Sequence, residues 1–209
     1  GGEKVLELNR LYNMDCMEGM KQFPDKYFEL AIVDPPYGLP KDSTHGRGKL
    51  KNRILNNGSL ELWDKQPSLE YFKELRRVSV NQIIWGGNYF DLPPTRGIIC
   101  WDKCQPWENF PQWEMAWTSF SKPAALFKFD NRTKDKIHPT QKPVALYKWL
   151  LKNCAKPGDK ILDTHVGSAS SLIACYDMGF DYIGFEIDED YYNMAQKRIE
   201  ENKAQLRMF

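Results

Sequence analysis

Four separate segments of this chain repeat one pattern, an apolar run of strand-forming residues that closes on a carboxylate: Asn9-Arg-Leu-Tyr-Asn-Met-Asp15, Leu30-Ala-Ile-Val-Asp34, Lys160-Ile-Leu-Asp163 and Tyr182-Ile-Gly-Phe-Glu186. Continuous apolar runs of this length are those of strands covered on both faces, as in a parallel sheet. In an open α/β sheet, ligands sit outside the carboxyl ends of the strands, so acids at those ends line the ligand crevice. Four carboxylates there would repel a pyrophosphate. They suit a ligand that offers hydroxyls, amines and positive charge.

With 209 residues, 42% of them hydrophobic, the chain can bury the core of one compact domain spanning 1–209. A net charge of +1 gives no global attraction for nucleic acid, so any basic surface is local. It gathers in the stretch 38–60, where Lys41, Arg47, Lys49, Lys51 and Arg53 face the single acid Asp42 among several glycines. That composition predicts a mobile basic loop, read either as a phosphate-contacting segment or as a solvated loop. No run reaches the length of a membrane span, and Gly1-Gly2-Glu3 opens without a signal segment, so a cytoplasmic protein without membrane contact is expected. The five cysteines are odd in number and form no C-x-x-C pair. Cys100 and Cys104 with His138 or His165 match no standard zinc spacing, so reduced thiols and no metal are expected.

Leu6 to Asn13 reads as a strand, followed by a short helix from Cys16 and a buried strand from Phe28 to Val33. A helix from Ser68 places Leu69, Phe72, Leu75 and Val78 on one face. Short aromatic and β-branched runs around Ile83, Ile99, Trp113 to Trp117 and Phe127 then suggest hairpin-like strands. Pro143 starts a helix through Asn153, a second helix runs from about Ser168 to a Gly179 stop, and Asp188 caps a last one bearing Tyr191, Ala195 and Ile199. Strands alternating with helices at both ends predict an α/β fold, a doubly wound, mostly parallel sheet with an antiparallel edge.

The segment Asp34-Pro35-Pro36-Tyr37 carries the most specific chemistry. Consecutive prolines fix φ and hold the chain extended, giving a rigid loop whose carbonyls and carboxylate form an acceptor array. Such an array can accept both hydrogens of an exocyclic amino group and localise its lone pair toward an electrophile. Tyr37 supplies a stacking surface for a base taken out of its duplex. The turn Asp163-Thr-His-Val-Gly-Ser-Ala-Ser170 joins a strand to a helix with small residues, which admits close approach of a ligand. Neither a dinucleotide glycine fingerprint nor a P-loop is present. Glu186 ends the next strand, where an acid binds ribose hydroxyls in nucleotide folds.

These segments, in this order, resemble the amino-group DNA methyltransferases that use S-adenosylmethionine, in their permuted beta arrangement. The resemblance covers most of the chain and implies a Rossmann-like methyltransferase fold. It implies that Asp34, Pro35, Pro36 and Tyr37 are catalytic. It further implies that the acid of Asn13-Met-Asp15-Cys16 holds the cofactor adenine, with Asp15 and Cys16 in the site. His138-Pro-Thr140-Gln141-Lys142-Pro143 resembles the segment that opens the helix beside the methionine moiety. The resemblance likewise implies that Asp163, Thr164, His165, Gly167 and Ser168 form the cofactor loop, and Glu186 and Asp188 the ribose segment. Thr164, His165 and Ala169 stand where the family usually has Pro, Phe and Gly; His165 reads as a base or as a substitute for the aromatic. Asp at position 34 is typical of enzymes acting on adenine N6, so site-specific methylation of adenine in DNA is implied, with cytosine N4 as the alternative. A nucleic-acid-binding module that keeps the fold without the activity is the other alternative. The short middle of the chain leaves a small target-recognition region within about 100–135, and a homodimer or a partner specificity subunit would extend the grip on DNA.

Overall fold

The computed structural model describes residues 6–38, 65–108, 111–130 and 141–206. Beyond Gly38, the basic stretch with Lys41, Arg47, Lys49, Lys51 and Arg53 lies outside the described residues, as do His138 and Thr140. Among the described residues, eight strands form one sheet in the order β1-β8-β7-β2-β3-β5-β4-β6. They are β1 (Arg10–Asn13), β2 (Phe28–Val33), β3 (Ser79–Trp85), β4 (Ile98–Asp102), β5 (Trp113–Thr118), β6 (Ala125–Lys128), β7 (Lys160–Asp163) and β8 (Asp181–Glu186). All neighbouring pairs are parallel except those of β5, which runs against both β3 and β4. The α-helices of the described residues are α1 (Cys16–Met20), α2 (Leu69–Val78), α3 (Val144–Cys154), α4 (Ser170–Met178) and α5 (Glu189–Leu206).

The strands are buried because their side chains alternate into two cores. Ile83 and Trp85 join Leu146, Leu150 and Leu172 on one face of the sheet, while Ile84 joins Val33, Phe72, Leu75 and Phe185 on the other. Helices therefore cover both faces of the sheet.

The first strand begins at Arg10 rather than Leu6. Asn9 adopts φ +63, a left-handed conformation that asparagine tolerates, and its side chain bonds Asp181 Oδ1 at 2.7 Å and the Tyr182 N–H at 3.2 Å. On α2 the buried face is Tyr71, Phe72, Leu75 and Val78, whereas Leu69 in the first turn is 64% exposed. Pro143 precedes α3 as its cap with extended ψ, and Gly179 ends α4 in the left-handed conformation.

Sheet order explains the repeated pattern of the sequence. The four carboxylate-ended strands are the four consecutive neighbours β1, β8, β7 and β2, all parallel. Asp15, Glu186, Asp163 and Asp34 thus follow strand ends at one edge of the sheet.

Candidate active site

Asp34 leaves β2 into the Pro35-Pro36 segment, and both of its oxygens are engaged. Oδ1 accepts from the Tyr37 hydroxyl at 2.8 Å, and Oδ2 pairs with Lys142 Nζ at 2.6 Å. Tyr37 stacks on Tyr89 with ring centroids 4.7 Å apart and meets Phe90 edge-on at 6.2 Å. The backbone beneath it must be bare: a Cβ on Gly86 would lie 2.2 Å from the Tyr37 ring, and Gly86 has φ +69.

Lys142, read from the sequence among the cofactor residues, is found against Asp34. Its side chain is 1% exposed, and its ammonium also pairs with Glu114 Oε2 at 2.9 Å and sits 5.2 Å from the Trp85 ring centroid. Glu114 in turn pairs with Lys103 at 2.5 Å. The two ammonium groups hold the Glu114 carboxyl at about 2, well below the usual carboxylate range, against the opposing effect of burial.

The turn after β7 is held by its own side chains. Asp163 accepts from the His165 N–H at 3.0 Å and from the Ser171 hydroxyl, while Arg198 of α5 donates to Ser168 O at 2.7 Å and to Ser170 Oγ at 2.8 Å. Burial pushes the Asp163 carboxyl up to about 7. Burial also lowers the His165 imidazole to about 4, so it is neutral at physiological pH. His165 Nδ1 and the Tyr71 hydroxyl both bond Thr164 Oγ1, at 2.9 and 2.6 Å, and the His165 ring meets Tyr71 edge-on. The Thr-His replacement of Pro-Phe thus acquires a polar anchor on α2. Ala169 stands at φ +66, where a non-glycine residue carries about 1–2 kcal/mol of strain, and is fully buried.

Glu186 ends β8 beside this turn. Its Oε2 accepts from the Gly167 N–H at 2.8 Å and its Oε1 from the Asp188 N–H at 3.0 Å, while burial raises its carboxyl. Asp188 caps α5 through the Tyr191 N–H at 3.0 Å. Asp15 caps α1 through the Met17 N–H at 2.7 Å, and burial pushes the thiol of the adjoining Cys16 up to about 12. Gln141 is buried ahead of Lys142.

The described site residues therefore gather along one sheet edge in two groups, Asp34 to Tyr37 with Lys142, and Asp163 to Ser168 with Glu186. Glu114, Tyr71, Tyr89 and Arg198 are added by the structure. Glu114 had a faint sequence signal, as the one charged residue in the run Trp113 to Trp117, since such acids are buried only with a partner. Among the described residues no group of His, Cys, Asp and Glu is arranged to hold a metal, and no helix is long and apolar enough to cross a membrane.

Residues 107–197 match the family model N6_N4_Mtase, described as DNA methylase. The type II methyltransferase M.HinfI of Haemophilus influenzae is 26% identical, aligned over 94% of this chain and 69% of the relative. The type II methyltransferase M2.MboI of Moraxella bovis is 24% identical over 91% of this chain and 87% of the relative. The crystal structure of the M1.HpyAVI-SAM complex shares the fold with a TM-score of 0.60 at 20% identity, covering 90% of this chain and 98% of that one. Residues 107–197 thus resemble the DNA methylase family model, and type II methyltransferases align along almost the whole chain on a common fold.

Proposed function

We propose that the protein transfers a methyl group from S-adenosylmethionine to an exocyclic amino group of a base in DNA, and that the target is adenine N6. The observation that carries the reading is the placing of Asp34-Pro-Pro-Tyr37 two strands from Glu186 on a shared edge, with the Asp163 turn between them. Donor chemistry fits the cofactor. The edge offers carboxylates to an amine, a sulfonium and ribose hydroxyls. Glu186 serves the ribose, Asp15 the adenine, and Asp163 with the Gly167-Ser168 turn the amino-acid end; Gln141 extends the same pocket.

When bound, S-adenosylmethionine supplies an electrophilic methyl group on a cationic sulfur. Asp34 and the Pro35 carbonyl accept the two amino hydrogens, turning the nitrogen lone pair toward the methyl carbon. The new N–C bond forms as the S–C bond breaks, its electron pair staying on sulfur. Nitrogen then sheds one proton, which Asp34 accepts and passes to water. Tyr37 stacks on the flipped base, while the segment with Lys41, Arg47, Lys49, Lys51 and Arg53 contacts phosphates. Adenine is favoured by Asp at position 34, typical of the N6 enzymes this chain resembles.

Transfer of labelled methyl to mixed-sequence DNA, followed by nucleoside analysis, tests the reading. N6-methyladenine is expected. N4-methylcytosine would move the target to the other amino base, and cofactor binding without any methylated nucleoside would overturn the enzyme in favour of a binding module.

A further inference from the structure

We propose that Lys142 and Glu114 are positioning residues for Asp34: the ammonium, itself gripped by Glu114, holds that carboxylate aimed at the incoming amino group. The inference rests on the role given to Asp34 above.

Lys142 Nζ lies 2.6 Å from Asp34 and 2.9 Å from Glu114 on a side chain 1% exposed. A lone ammonium in such a place is strongly disfavoured, and so is a lone carboxylate, so the group is stable only as a set. Two acids and two bases make the set electrically neutral, since Lys103 reaches Glu114 from the end of β4. The division of labour follows from donor geometry. An ammonium has three N–H donors and no acceptor, so Glu114 takes one and fixes the direction of another toward Asp34 Oδ2. Asp34 then keeps its remaining lone pairs for substrate. Among the described residues, the other titratable groups around Asp34 are Tyr37 in its own segment, Tyr71 on α2, Tyr147 on α3 and Asp163 on β7. Burial keeps all three tyrosines neutral, leaving Asp163 as the nearby group that titrates close to neutrality.

Removing the cation leaves Asp34 without its ion pair beside Glu114, which Lys103 still holds, so the two like charges face one vacated position and Asp34 takes up a proton more readily. This separates positioning from mere structural support. Methyl transfer to mixed-sequence duplex DNA is followed across about pH 5–9 for wild type, Lys142→Met, Lys142→Arg, Glu114→Gln and the Lys142→Met/Glu114→Gln double variant. Calorimetry gives S-adenosylmethionine affinity in parallel. Lys142→Met is expected to move the acid limb of kcat upward by about 1–3 pH units. Lys142→Arg keeps the limb in place. The double variant returns it toward the wild-type position, because the second carboxylate is gone. Should Lys142→Met fail to fold, Glu114→Gln still tests the idea: kcat falls about tenfold while cofactor Kd and DNA KM stay within about twofold. The inference is overturned by an unmoved limb in Lys142→Met, by a double variant whose limb stays shifted, or by a Glu114→Gln loss confined to Kd or KM. A wild-type protein that methylates no DNA would instead sink the function proposed above.

Discussion

Glu114 and Asp163 are both inward-facing carboxyls at the same edge of one sheet, yet their acidities diverge to about 2 and about 7. The difference is the cation. Glu114 lies between Lys142 and Lys103, and two ion pairs overcome its desolvation. Asp163 is 3% exposed and has hydrogen bonds from Ser171 and the His165 N–H, but Asp34 and Glu186 are its charged influences and both raise it further. The corner around Asp34 is thus charged and internally balanced, while at the cofactor turn Arg198 binds Ser168 and Ser170 and, among the described residues, forms no ion pair with Asp163 or Glu186. A cationic ligand would supply the counter-charge there.

The largest expected effect strikes the balanced corner. Asp34→Ala should lower methyl transfer by about 10²–10⁴-fold while cofactor affinity, set at the other corner, changes little. Parallel turnover and calorimetry check the separation; equal losses in both would merge the two corners into one. Glu186→Ala should weaken cofactor binding by about 10–150-fold, since it deletes a carboxylate that also orders the Gly167 and Asp188 amides. An unchanged Kd would count against the ribose role.

Asp163→Asn sharpens the contrast through pH. A folded-state pKa of about 7, above the unfolded value, gives a stability contribution that is full below the unfolded pKa and is lost as pH climbs through 7. Thermal melts of the ligand-free wild type should therefore lose stability between about pH 4 and 7, with a limiting slope of about 1.4 kcal/mol per pH unit from this group. The Asn variant should flatten that slope and be the more stable protein at pH 8. In wild type, S-adenosylmethionine affinity should rise over the same window, because the cation favours the ionised form. Smallest is Tyr71→Phe, which removes the 2.6 Å bond to Thr164 and should cost about 1 kcal/mol in denaturant titrations.

Local chemistry made much of this legible. The apolar runs ending in acids became neighbouring strands because each had to be covered on both faces, and Pro143, Gly179 and Asp188 punctuate their helices as their backbone properties require. Periodicity misplaced one position on α2. Leu69 fits the helical spacing, but it lies in the first turn and faces solvent, and Tyr71 is buried in its stead with its hydroxyl satisfied by Thr164. Lys142 was harder to read. Its motif ties it to the residues before α3, yet its partners lie far away along the chain, 108 residues off in the case of Asp34.

By itself, then, the sequence determined the elements, the acids at their ends and the rigid Asp34-Pro-Pro-Tyr37 segment, all of which follow from interactions within a few residues. Which strands adjoin, and so which charges meet, followed from the packing of the whole chain. Ion pairing acts through space over a few ångströms, and burial strengthens it by excluding water. Sheet order brought β2, β5 and the start of α3 together, and with them Asp34, Glu114 and Lys142 into one buried set.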